Sequence, residues 1–264
     1  MLRIRRHSPP LRRTAALSAV LMAFLLIPAL APAPVQAQDL PAADELIERY
    51  LDALGGADRV TDRIASSARG SFSMPAAGLQ GQMEVHSSAA GQMLVRINIP
   101  GVGEILSGYD GEVAWDMDPF QGPRVLEGAE AGQRSMQTDP GYYLRSASTF
   151  PTRETVEQTE MGGEACYRVR LVTEEGWEIF DCFSTETGLL TATEMTLETA
   201  GGPVNSVTIL REYEDFDGLM IATRTEQTVM GMQQILSIEE VEFGEPDAAH
   251  FELPAPIRTL VGGQ

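Results

Sequence analysis

Few side chains in this sequence have the type and spacing for bond-making chemistry. The histidines are His7, His86 and His250, and the cysteines are Cys166 and Cys182. Three His and two Cys offer too few nitrogen and sulfur ligands for most metal centres, so no metal site is expected. No HExxH, GxSxG, phosphate-binding glycine loop or dinucleotide fingerprint occurs, and no cofactor is implied. His86 falls on the polar phase of Gln82-Met83-Glu84-Val85-His86 and reads as a solvated side chain. Asp116 with Asp118, and Asp215 with Asp217, sit where hairpins favour turn residues. The run Asp215-Phe216-Asp217-Gly218 is too short of ligands for a calcium loop. No catalytic residue emerges, and the chain reads as a non-enzyme.

The cysteines say more. In an oxidising compartment two cysteines usually pair. Cys166 and Cys182 flank a hairpin whose turn lies near Glu174-Glu175-Gly176. Equal parity about that turn puts both on one sheet face, beside Arg168, Arg170 and Glu178. Directly opposite positions in a non-hydrogen-bonded pair would meet the distance required, whereas a diagonal pair would be marginal.

Residues 1–37 identify the compartment. Arg3, Arg5, Arg6, Arg12 and Arg13 form a cationic head, an apolar run covers Ala15–Pro28, and Val35 and Ala37 occupy the −3 and −1 positions before Gln38. That order is a cleaved secretory signal peptide, and it places the mature chain, residues 38–264, in the periplasm. All 19 basic residues are Arg, against 38 acidic ones, for a formal charge of −19. Without the five leader arginines the balance is 14 to 38, a net charge of −24. Such a chain is repelled by nucleic acid and by anionic membrane surfaces.

The elements behind these residues are legible as periods. Leu46, Ile47, Tyr50, Leu51 and Leu54 form one stripe of a helix over Ala43–Gly56, stopped by Gly55-Gly56. From about residue 66 the period becomes two. Met93, Val95, Ile97 and Ile99 alternate with polar positions, as do Val113, Trp115 and Met117, and Tyr167, Val169 and Leu171. Recurrent turn signals such as Asp110-Gly111 and Thr187-Gly188 predict an antiparallel sheet of nine to eleven strands that must curl to hide its apolar side. Residues 128–150 lose the alternation and predict a helix and loop lying over the sheet. A single turn is expected over Pro246–His250, and no linker divides the chain. Met83, Val85, Met93, Val95, Ile97, Ile99, Val113, Trp115, Met117, Val169 and Leu171 are the candidates for an apolar cavity. Of these, Val95, Ile97, Val113, Trp115 and Met117 are expected to meet on the concave side. Periodicity alone does not decide between an open cavity and a filled core.

Taken in order, several segments resemble the LolA/LolB-type lipoprotein-carrier superfamily, in its outer-membrane lipoprotein-sorting branch. They are the front helix ADELIERYLDALGG, the hairpin Gly108–Asp116, the strand and turn Phe183–Leu189, Glu212–Leu219 and the closing Pro246–Pro254. The resemblance implies a mainly β fold: an incomplete, curved antiparallel barrel with helices over its concave face. It implies that acyl chains of a lipoprotein or lipid are held in the hollow and carried towards the outer membrane. An inner-membrane transporter and an outer-membrane acceptor would be the partners. Arg96 is the nearest match to the arginine that holds the lid in that superfamily, although its flanking residues differ. The cysteine pair is not a general feature of it. A regulatory protein that senses lipid or peptide during envelope stress would use the same fold, and the single domain favours the carrier.

Overall fold

In the computed structural model, the described residues are 40–139 and 141–263. The leader sequence read at 1–37 lies outside them. The chain opens with α1 (Ala43–Leu54) and α2 (Ala57–Asp62), followed by β1 (Ser66–Met74), β2 (Leu79–Ser87), β3 (Met93–Ile99), β4 (Gly103–Tyr109), β5 (Ala114–Asp118) and β6 (Gly122–Val125). Two helices, α3 (Gly128–Gln137) and α4 (Ser146–Thr149), interrupt the strands. β7 (Thr152–Met161), β8 (Glu164–Val172), β9 (Glu178–Ser184), β10 (Leu190–Leu197), β11 (Val204–Phe216), β12 (Leu219–Val229) and β13 (Met232–Phe243) come next. A single turn at Ala248–Phe251 and α5 (Ala255–Gly262) complete the chain.

All thirteen strands belong to one antiparallel sheet, in the order β6-β5-β4-β3-β2-β1-β13-β12-β11-β10-β9-β8-β7. The sheet does not close: β6 and β7 are its edges, and the segment joining them in sequence carries α3 and α4. This is the curling antiparallel sheet that the alternation predicts and the incomplete barrel that the resemblance implies. It has thirteen strands rather than nine to eleven, because β11, β12 and β13 mix Thr, Gln and Glu into their apolar phase and alternate weakly.

The face that carries α1 and α3 is the inner face. α1 has Asp44 and Glu45 in its first turn, where the helix dipole favours them, and ends at Gly55, whose φ of 121° suits glycine. Its stripe of Leu46, Ile47 and Tyr50 packs on Val169 and Leu171 of β8, Ile179 and Phe183 of β9, and Leu190. Tyr143 and Phe150, from the segment after α3, complete that core. A second cluster on the same face joins Phe72, Met83, Ile97 and Ile99.

The outer face is also covered. Leu94, Leu106 and Trp115 are buried beneath Ile257 of α5, with Val113, Met117, Val125 and Leu253 around them. Gly108 makes this possible, since a Cβ there would collide with the Trp115 indole, which lies flat across β4.

Candidate functional site

The inner face divides into three zones. The first, over β8–β10, is solid. Within it Asp181 is buried, accepting hydrogen bonds from the Tyr143 hydroxyl at 2.5 Å and the Thr193 hydroxyl at 2.8 Å. Burial pushes the Asp181 carboxyl up to about 6, against the opposing pull of those two donors. Burial first, and the nearby Asp181 carboxylate second, likewise raise Tyr143 well above the ordinary tyrosine range. The network is sealed beneath α1 and works as a structural polar cluster, with no approach for a substrate.

The second zone is the lid, α3. It lies between the two halves of the sheet, and successive residues tie it to both. The closeness of Gly132 to the Trp177 indole, from the β8–β9 turn, leaves no room for a Cβ. The Gln133 side chain is buried, donates to the Thr196 carbonyl at 2.9 Å and accepts from the Glu198 N–H at 2.8 Å, both at the end of β10. Arg134 donates to the Ser107 hydroxyl at 2.9 Å and pairs with Asp116 at 3.1 Å, on β4 and β5. Arg124 of β6 joins Asp116, at 2.8 Å, to Glu130 of the lid, at 2.7 Å. The Ser135 hydroxyl donates to the Tyr109 hydroxyl at 3.1 Å. Beside the lid a mixed polar and apolar hollow of about 900 Å³ opens between α3, α4 and the tips of the β2–β3 and β8–β9 hairpins.

Among the described residues, no helix packs over the third zone. Val85, Val95, Ile105, Leu236 and Ile238 are apolar, lie on one face by register, and are only partly buried. They surround the buried Phe72, Met83 and Ile97 and form an apolar strip open on its inner side. A strip of this kind can hold a flexible hydrocarbon by contact and desolvation alone.

The predicted cavity residues therefore separate. Met83, Val85, Met93, Val95, Ile97 and Ile99 share the inner face of β2 and β3. Val169 and Leu171 are also on the inner face but are wholly buried under α1. The expectation that Val113, Trp115 and Met117 join Val95 and Ile97 is corrected. Trp115 opposes Gly108, which opposes Leu94, so Trp115 shares the face of Leu94 and not that of Val95. Parity was right within each strand, but the β4–β5 turn sets the phase between strands. The C-terminal segment covers the outer face of β3–β5 around Leu94, Leu106 and Trp115, so that patch is apolar as well.

Arg96 needs the same correction. It lies on the outer face, pairs with Glu104 at 3.0 Å and reaches Glu84 at 3.9 Å, and it does not hold the lid. That task falls to Arg134 and Arg124, with Asp116 as the common anion. Asp116 is thus a lid anchor rather than a turn residue, whereas Asp118 does cap its turn, accepting from the Phe120 and Gln121 N–H groups. His86 is buried rather than solvated. The Cys166–Cys182 disulfide forms on the outer face, with Cα atoms 5.4 Å apart. The pair is diagonal, since Cys166 opposes Ser184 and Cys182 opposes Arg168. None of Gln133, Arg134 and Asp181 could be singled out from the sequence, because their roles depend on pairing between distant strands.

No family model matches the sequence, and no curated protein does. Solved structures do match. A LolA superfamily protein from Nitrosomonas europaea aligns over 81% of this chain and 99% of its own, with a TM-score of 0.54 and 13% identity. A DUF1329 family protein from Desulfovibrio piger aligns over 81% and 98%, with a TM-score of 0.52 and 12% identity. An outer membrane lipoprotein-sorting protein domain from Vibrio parahaemolyticus aligns over 79% and 97%, with a TM-score of 0.50 and 9% identity. No helix among the described residues is long and apolar enough to cross a membrane. At these identities the likeness speaks for architecture alone, and the architecture of this chain is a LolA-like fold.

Proposed function

We propose that the protein is a periplasmic carrier, not an enzyme, that shelters the acyl chains of a lipid or lipoprotein against its inner face and delivers them towards the outer membrane. The observation that carries this reading is the apolar strip of Val85, Val95, Ile105, Leu236 and Ile238, which the fold leaves uncovered between a solid core and a tied lid. A chain of ~16 carbons at ~0.8 kcal/mol per methylene costs on the order of 10 kcal/mol to expose to water, so a carrier must cover most of it. The likeness to lipoprotein-sorting and LolA superfamily structures supports the same reading. The leader-like residues 1–37 support export and cleavage near Gln38, and N-terminal sequencing of the exported protein tests that step. An inner-membrane donor and an outer-membrane acceptor are the partners that such carriage requires.

The test compares the two sheet faces. Val95→Arg and Leu236→Arg place charge on the open strip, while Trp115→Ala empties the outer core. Native mass spectrometry of protein recovered from its own envelope should show bound lipid in the parent and none in either arginine variant. The arginine variants should melt close to the parent, because a half-buried arginine can reach water. Trp115→Ala should keep its lipid and lose about 3–5 kcal/mol of stability. A parent that never carries lipid overturns the proposal.

A further inference from the structure

By register six hairpins turn at the same end of the sheet; β12–β13, β1–β2, β3–β4 and β5–β6 lie side by side, and the two beyond them, β10–β11 and β8–β9, carry Glu198, Glu174 and Glu175. The turn at Pro75–Ala77 contacts β13, and a Cβ on Gly103 would lie 3.0 Å from Pro119, so the tips form a continuous rim. These tips present apolar groups to water. Phe120 is 69% exposed, Met230 75% and Met232 54%. Pro75, Ala76 and Pro100 are exposed between them. The four turns contain no charged residue; the nearest, Asp118, accepts from the N–H groups of its own turn. On the inner side Met74, Leu79, Ile99 and Val102 link the rim to the apolar strip.

The next layer is mostly amides and hydroxyls. Ser71, Ser73, Gln80, Gln82 and Asn98 occupy the outer face just behind the tips of β1–β3, and Thr228 and Gln233 do so on β12 and β13. Charge enters behind them, through the pairs of Arg69 with Glu84 and Arg96 with Glu84 and Glu104. Two carboxylates are level with this layer, Glu104 and Glu226, and each is paired, with Arg96 at 3.0 Å and with Arg224 at 2.8 Å. At the opposite end the turns carry Asp110, Glu112, Asp215 and Asp217. Apolar tips, then amides and hydroxyls, then ion pairs repeat the order of layers met on leaving a bilayer for water.

We propose that this rim docks shallowly on a zwitterionic lipid surface, with Phe120, Met230 and Met232 in the interfacial region and the amide layer among the headgroups. The strong negative charge of the chain selects against an anionic surface. Protruding apolar tips suit a fluid surface better than a second copy of the chain, which would need a broad complementary patch. Docking goes beyond carriage and requires no cargo.

The test is partition of the purified full chain onto cargo-free phosphatidylcholine vesicles. Phe120→Glu, Met230→Glu and Met232→Glu are combined in one variant, which should melt like the parent because all three side chains are exposed. Its partition should fall by about tenfold or more, and the parent should bind less well when phosphatidylglycerol is added. Parent and variant share residues 1–37, so the difference reads the rim. A Phe120→Trp variant should show more quenching by brominated phosphatidylcholine than the parent, whose Trp115 and Trp177 set the baseline. Equal partition of parent and triple variant, no added quenching, or a parent dimer that the triple variant abolishes without any vesicle binding would each overturn the proposal. Lipid loading, read separately by native mass spectrometry, distinguishes a failure of docking from a failure of carriage.

Discussion

The His250 ring lies flat against the His86 ring, with centroids 3.7 Å apart and planes inclined by 16°. One ring belongs to the single turn near the C-terminus and the other to β2, so the stack fastens the terminal segment to the outer face. His86 Nδ1 lies 2.8 Å from the Ser67 hydroxyl, and its Nε2 is buried without a partner. Burial, and then the charge on His250, hold the His86 pKa below its ordinary 6.5, with Arg69 and Arg96 adding to the effect and Glu84 opposing it.

The sign follows from linkage. The unfolded histidine takes up a proton near 6.5 while the docked one resists it, so docking is strongest above 6.5 and weakens as pH falls below it. Amide exchange across residues 247–262 should be faster at pH 5.5 than at pH 7.5, beyond the intrinsic pH effect on exchange. His86→Gln should flatten that difference. Protection independent of pH in the parent would remove the stack from any role in pH response.

Asp181 carries the opposite slope. Its carboxyl is raised in the fold, so the stability it gives is full below the unfolded value of 3.8 and is lost as pH rises through about 6. Asp181→Asn keeps an acceptor for Tyr143 and cannot ionise. Calorimetry should show the variant gaining on the order of 1–3 kcal/mol over the parent at pH 7.5. The gain should shrink steadily between pH 6 and pH 4. A variant less stable than the parent at every pH would mean that the carboxylate is needed.

The disulfide fixes a hairpin on the buried outer side of β8 and β9, where Ala192 and Ile209 pack against it. Closing a loop with a sequence separation of 16 suggests roughly 3 kcal/mol in the chain-entropy model. Replacing both cysteines by alanine should lower the midpoint of urea unfolding accordingly, without changing lipid binding. Thiol labelling of unreduced, denatured parent should detect no free cysteine, and two labelled thiols would refute the pairing.

Arg134 and Asp116 meet where the lid crosses β5, partly shielded from solvent. Arg134→Met should release the first turns of the crossing segment while leaving the α1 core intact. Limited proteolysis within residues 126–150 should then accelerate several-fold, with a change of at most about 1–2 kcal/mol in global stability. Arg96→Met, on the other face, should leave that cleavage rate unchanged. Equal rates for the parent and Arg134→Met would show that Gln133 and Trp177 alone hold the lid.

The elements with a strong local period were readable from the sequence. The stripe Leu46–Tyr50 marks α1, the alternation over Met93–Ile99 marks β3, and the loss of alternation after residue 127 marks the lid. What the sequence concealed depends on pairing between distant segments. Trp115 and Ile97 occupy the same phase of similar strands, yet the β4–β5 turn sends them to opposite faces. Leu94 reads as a misplaced apolar residue until α5, more than 150 residues later, is seen to cover it. α5 itself is short and begins Ala255-Pro256, a start that suits a helix but gives too few turns for a period to show. Asp116 reads as a turn residue because nothing nearby in sequence announces Arg134.

An unclosed sheet has two margins where a foreign strand could add, and each margin here is blunted. β6 is only four residues long, contains Pro123 and has α5 against it. β7 is longer, but a register shift between Thr155 and Glu157 kinks it, and Glu154, Glu157 and Glu160 project as exposed acids. A second copy approaching that margin would meet like charges and a broken hydrogen-bond rhythm. The barrel can therefore remain open along one side without becoming a template for fibrils.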